Sequence, residues 1–177
     1  MNVVVYCHGY GSSPDSAKVS YLRETFDRVI AVSLDIDPDV AMTSLEEAYL
    51  DYCLEDPHSE DSVVVVGTSL GAWHAARFAL KYDKRAILIN PSYDPSFSLA
   101  KYGVSEEMLR KYSPLIAPEL SEFYFAYKDE VIPNEELRVM FRSLGFPVTV
   151  VPGASHRFDG EHFEKVIESV IVKGDYI

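Results

Sequence analysis

The sequence predicts an α/β fold, a mostly parallel sheet of about six strands with helices on both faces, and three observations carry that expectation. Short apolar, β-branched runs alternate with helical segments along the chain. The strongest run, Val63-Val64-Val65-Val66, is apolar throughout, the pattern of a strand buried on both sides in the middle of a parallel sheet. A tight turn, Gly67-Thr68-Ser69-Leu70-Gly71, follows it at once and leads into an alanine-rich helix.

Taken in order, Asn2 to Tyr6 reads as a buried strand running into the loop His8-Gly9-Tyr10-Gly11-Ser12-Ser13-Pro14. A helix is expected from Asp15 to about Phe26, with Ala17, Val19, Leu22 and Phe26 on one face and Asp15 or Ser16 as its cap. Arg28 to Leu34 is the second strand, 35–39 a polar loop, and Ala41 to about Leu54 a helix with Leu45, Ala48 and Tyr49 inward. Ser62 to Val66, Arg85 to Asn90, Phe123 to Ala126 and Val148 to Val151 supply the other strands. Ala72 to Lys81, Glu135 to Ser143 and Glu161 to Val172 supply the other helices. Residues 91–120 break the rhythm, a connection of about thirty residues where a handful is usual, and form the candidate substrate flap. Residues 1–177 are expected to make a single domain, since a chain of this length buries roughly two-thirds of its unfolded surface in one core.

Composition excludes several classes of partner. A net charge of −12 without clustered Lys or Arg argues against nucleic acid and anionic membrane surfaces. No apolar run approaches the roughly 20 residues that span a bilayer. The chain opens on Met1-Asn2 and a strand, with no basic segment or cleavage site of a signal peptide, so a cytoplasmic location is expected. Cys7 and Cys53 sit in apolar contexts and are read as free thiols. No metal or cofactor is expected, because the histidines are dispersed and no His-x-x-x-His or Cys-x-x-Cys spacing occurs.

The chemistry is read from four stations. A serine hydroxyl needs a neighbouring base and a turn that lifts Oγ clear of the backbone, and Gly67-x-Ser69-x-Gly71 between strand and helix supplies that turn. The base is expected beyond the last strand, where Gly153-Ala154-Ser155-His156-Arg157-Phe158 offers His156. His8, His58, His74 and His162 compete, with His74 the nearest rival and a candidate substrate-binding residue. The acid that holds the imidazole should follow the preceding strand, which points to Asp129, with Glu130 beside it and Asp94 as outer alternatives. An oxyanion would be bound by the Leu70 amide and by that of Tyr10, or Gly11 in its place. Tyr93, Phe97, Tyr102, Met108 and Tyr112 in the long connection could line a substrate pocket, and Tyr93 and Phe97 are candidate substrate-binding residues together with Gly11 of the first loop.

With these stations in place the chain resembles the α/β-hydrolase superfamily along nearly its whole length, and within it the small bacterial YqiA/YcfP-like hydrolases. That likeness rests on the strand at the N-terminus, the His-Gly-aromatic-Gly-Ser-Ser loop and Leu88-Ile89-Asn90-Pro91. The resemblance implies a minimal α/β-hydrolase fold without a full lid domain. It also implies esterase or thioesterase activity on a small-molecule acyl substrate, with Ser69, Asp129 and His156 as the triad. Amide, lactone or acyl-protein hydrolysis is the alternative on the same triad, and a non-catalytic binding protein on the scaffold is the second.

Overall fold

The computed structural model describes residues 2–55 and 63–174; His58 and Ser62 lie outside them. Six strands form one sheet: β1 (Val3–Cys7), β2 (Arg28–Ile30), β3 (Val63–Thr68), β4 (Arg85–Ile89), β5 (Ser121–Ala126) and β6 (Val148–Val151). Their order is β2-β1-β3-β4-β5-β6, and every neighbouring pair is parallel. Among the described residues seven helices lie between and after the strands: α1 (Ala17–Thr25), α2 (Pro38–Glu55), α3 (Leu70–Tyr82), α4 (Pro95–Ala100), α5 (Glu106–Leu109), α6 (Glu135–Ser143) and α7 (Glu161–Gly174). This is the minimal α/β-hydrolase fold, with two short helices, α4 and α5, in the long connection between β4 and β5.

The uniformly apolar strands are explained by a core on each side of the sheet. Val3, Val5, Cys7 and Val65 face Leu45 and Tyr49 of α2, Phe78 of α3 and Phe141 of α6. Their alternates Val4, Tyr6, Val64 and Val66 face Val19 and Leu22 of α1 and Phe163, Ile167 and Val170 of α7. Side chains alternate along a strand, so a central parallel strand needs apolar residues at every position, and all of β1 and β3 is buried. No described helix is long and apolar enough to cross a membrane.

The second strand is shorter than the sequence suggests, because only Arg28, Val29 and Ile30 pair with β1. Beyond them the chain leaves the sheet, and the Leu34 amide donates to Nε2 of His8 at 3.1 Å instead of to the ladder. The long connection is well anchored on its C-terminal side. Trp73 Nε1 donates to Ser113 O (2.8 Å), Leu115 N to Tyr93 O (2.7 Å) and Tyr112 OH to Ile36 O (2.7 Å).

What this architecture does for function is set by the register. Cys7 lies opposite Gly67, Thr68 opposite Ile89 and Ala126 opposite Val151, so the carboxyl ends of five strands finish abreast and their loops gather along one edge. The chain runs outward from β1 to β2 and then reverses to β3, which makes the gap between β1 and β3 the switch point where open α/β sheets place ligands. Ser69 follows β3 and Gly9-Tyr10 follows β1.

Candidate active site

Ser69 sits at φ 56°, ψ −121°, between the last residue of β3 and the first of α3. A non-glycine residue there is strained by about 1–3 kcal/mol, and the strain is held by close packing around the turn. A Cβ on Gly67 would lie 2.4 Å from Gly71 O, and one on Gly71 would lie 2.0 Å from Cys7 O. Only two bare α-carbons let β1, β3 and α3 meet so tightly. The Ser69 amide donates to Ile89 O (2.9 Å) and its carbonyl accepts from Ser92 N (3.1 Å), which fixes the turn to β4 and the chain after it.

The structure brings three of the sequence candidates into one hydrogen-bonded chain. Ser69 Oγ lies 2.9 Å from His156 Nε2, and His156 Nδ1 lies 2.7 Å from Asp129 Oδ2. The Asp129 side chain is 1% exposed and that of His156 10%. An ionised carboxylate only accepts, so the tautomer that satisfies both contacts carries its proton on Nδ1 and presents a bare Nε2 to the serine hydroxyl. The other Asp129 oxygen accepts from the amides of Val131 and Ile132, each at 2.8 Å, so the carboxylate cannot rotate away.

Two supporting residues were not legible as such in the sequence. Glu130 turns away from the imidazole, and its carboxylate accepts from the His156 backbone amide at 3.0 and 3.3 Å. Asn90, 1% exposed and at φ 43°, ties three segments together. Its Oδ1 accepts from Ala126 N (2.8 Å) while its Nδ2 donates to His156 O (2.9 Å) and Ser155 O (3.3 Å). One side chain thereby fixes the end of β5, from which Asp129 follows, to the loop of His156. An Asn that ends a strand just before a proline is the signal that could have raised it, since Asn tolerates the left-handed region.

A cavity of about 470 Å³ opens over Ser69 and His156. Gly9, Tyr10, Gly11 and Leu70 line it. Among the described residues no backbone carbonyl accepts from the amides of Tyr10 or Leu70. Two of its sides differ. The first turn of α1 with Arg157 and Asp159 forms one, joined by the Lys18–Asp159 ion pair at 3.4 Å. The other joins Leu99 and Tyr102 to Val131 and Ile132, closed by Lys101 Nζ donating to Val131 O at 3.0 Å and by the Tyr10–Tyr102 ring contact.

Several sequence candidates are not brought to this cavity. Tyr93 packs against Phe141 in the core, and Phe97 is 85% exposed on the outer side of α4. Asp94 caps α4 through the Ser96 amide, and Met108 and Tyr112 lie outside the lining, whereas Tyr102 is in it. His8 is held between Gly9 O and Leu34 N, and His162 stands in the first turn of α7.

His74, read from sequence as a binding residue, is instead fully buried against Trp73 and Tyr112, on a face of α3 turned away from the cavity. Neither ring nitrogen has a partner among the described residues. Burial, helped by the charge of Arg77, pushes its pKa down to about 3. The unfolded chain binds a proton at this residue near pH 6.5 and the folded one does not. The stability present above pH 6.5 is therefore lost as pH falls toward 3, at about 1.4 kcal/mol per pH unit. Denaturant unfolding at pH 7 and pH 5 is expected to show that His74→Leu loses about 2 kcal/mol less than wild type across the interval. An equal loss in both would place the acid sensitivity elsewhere.

The profile of the family described as "Uncharacterised protein family (UPF0227)" matches residues 3–110, more than half of the chain. The chain belongs to the UPF0227 family. The matched part of this UPF0227 protein holds the first loop, the Ser69 turn and Asn90, while Asp129 and His156 lie beyond it. Among solved structures it is similar to a Xanthomonas campestris protein described as a hydrolase of the α/β superfamily, at 22% identity over 95% of this chain and 98% of that one, with a TM-score of 0.59. It is also similar to an esterase of Pyrococcus furiosus (17% identity, 97% and 80% coverage, TM-score 0.69). Est1E from Butyrivibrio proteoclasticus is a third (16%, 96% and 85%, 0.66). At these identities the likeness is one of fold.

Proposed function

We propose that this UPF0227 protein is a serine hydrolase that cleaves carboxylic esters or thioesters through an acyl-enzyme. The observation that carries the reading is the chain Ser69 Oγ to His156 Nε2 to Asp129, at 2.9 and 2.7 Å, set on a strained turn beneath an open cavity. The esterases among its structural neighbours support the choice of bond.

Attack forms the bond from Ser69 Oγ to the substrate carbonyl carbon as His156 Nε2 takes the hydroxyl proton, and the carbonyl π pair becomes an oxyanion. The free amides of Leu70 and Tyr10 are the donors for it, with Gly11 adjacent, and preorganised donors of this kind are each worth about 3 kcal/mol in the transition state. Collapse breaks the bond to the leaving oxygen or sulfur, which receives the proton from His156. Water then repeats the sequence on the acyl-serine, giving a carboxylic acid and free Ser69. Asp129 stays ionised throughout, balancing the imidazolium and holding Nδ1–H. Any flap in the 91–120 connection is confined to the part before residues 112–115, which are bonded to the body, and Lys101 ties the end of α4 to Val131 O. Two free thiols suit a reducing, cytoplasmic setting.

Intact mass after exposure to a fluorophosphonate tests this reading. Wild type is expected to gain a single adduct, Ser69→Ala none, and His156→Ala a small fraction of the wild-type rate. An adduct that persists in Ser69→Ala, or none on wild type, overturns it.

A further inference from the structure

Charge around the cavity runs against the charge of the molecule. The chain carries −12 overall, yet among the described residues Lys18, Lys101 and Arg157 line the cavity against a single carboxylate, Asp159. The three cations are not equivalent. Lys101 holds the Val131 carbonyl across the Leu99–Tyr102 side. Lys18 and Arg157 belong with Asp159 to another part of the lining, where the Lys18 ammonium lies 5.6 Å from the centroid of the Phe163 ring and keeps one long contact to Asp159, whose side chain is 69% exposed. Arg157 has no hydrogen bond or ion pair to any described residue. Burial lowers the Lys18 pKa, with Asp159 opposing and the nearby Arg157 charge adding to the drop, so the two cations feel one another. Two like charges held at a cavity wall with one exposed counter-charge favour an incoming anion.

The chemistry of the triad says which part of a substrate that side receives. The leaving oxygen or sulfur must collect its proton from His156 Nε2, so the departing group lies along the His156 loop, where Arg157 is the next residue and Asp159 fixes Lys18. The acyl chain is left to the side of Leu99, Tyr102, Val131 and Ile132, which is largely apolar. Building on the hydrolase reading above, we infer that the alcohol or thiol released carries an anionic group, a carboxylate or a phosphate, held by Arg157 and Lys18, while the acyl group is neutral and apolar. Net acidity of the chain makes such a substrate slow to approach at long range, but charges more than about 10 Å away are screened at moderate salt and the local pair prevails.

Butyryl thioesters of 2-mercaptoethanol, 3-mercaptopropionate and 2-mercaptoethyl phosphate, each referenced to its hydroxide-catalysed hydrolysis, test the inference through kcat/KM on the full chain. At low salt one or both anionic thioesters are expected to exceed the neutral one by about tenfold, and their order tells carboxylate from phosphate. The ratio is expected to fall to about twofold in Arg157→Gln, to drop also in Lys18→Gln, and to shrink at about 0.5 M salt. A matched pair with the charge on the acyl side, 4-nitrophenyl hemisuccinate against 4-nitrophenyl butyrate, is expected to show no gain. A neutral thioester cleaved as fast as both anionic ones, a ratio unmoved in Arg157→Gln, or a gain confined to the acyl-side pair overturns the anionic leaving group and leaves the serine hydrolase standing. No hydrolysis of any ester together with no fluorophosphonate adduct removes both.

Discussion

Asp129→Asn is expected to lower kcat on a simple ester by about 10⁴ at neutral pH, whereas Glu130→Gln lowers it about tenfold or less. The difference follows from where each carboxylate points. One Asp129 oxygen is committed to the amides of Val131 and Ile132, so an asparagine there must keep its carbonyl oxygen in that place and turn its NH₂ toward His156 Nδ1. An amide N–H facing Nδ1 selects the tautomer with its proton on Nε2, and Nε2–H cannot accept the Ser69 proton. Geometry survives and the base is lost. Glu130 touches only the His156 backbone amide, and a glutamine still offers that amide an oxygen. Steady-state kinetics of the two variants decide it; a larger loss in Glu130→Gln would make Glu130 the working acid.

Gly71→Ala is expected to abolish the folded state or to lower Tm by about 10 °C or more, corresponding to a loss above about 4 kcal/mol. On propensity alone the change should help, since alanine in a helix interior is favoured over glycine by about 1 kcal/mol. The added methyl, however, would stand 2.0 Å from Cys7 O and 2.5 Å from His8 O, both backbone atoms with no rotamer to yield. Helix α3 would have to lift off β1, exposing part of the face where Trp73, Ala75 and Phe78 are buried. Because β1 leads into the loop of Tyr10, the same shift would pull one proposed oxyanion donor away from Ser69. Soluble Gly71→Ala protein melting within about 3 °C of wild type would show that the close approach is not required.

Much of the molecule was determined by sequence alone. Four consecutive valines can satisfy every position only when both faces of a strand are covered, and that requirement led to a mostly parallel sheet between helices and to the strand-to-helix turn carrying Ser69. The chain order of serine, acid and histidine pointed to His156 and to Asp129, with Glu130 and Asp94 as alternatives, because in a parallel sheet the loops after the strands all open on one edge. Tertiary structure decided the rest. That Glu130 holds a backbone amide and Asp129 a ring nitrogen depends on the direction of two neighbouring side chains, which no local pattern encodes. That His74 is core and not cavity lining depends on the rotation of α3 against the sheet, set by the Gly71 approach to β1. Asn90 and the Lys18–Arg157 wall join residues far apart in the chain, 90 with 155 and 156, 18 with 159. Side chains meet across such separations only once the sheet has fixed where each loop emerges, which is why local periodicity could find the strands and the turn but not these contacts.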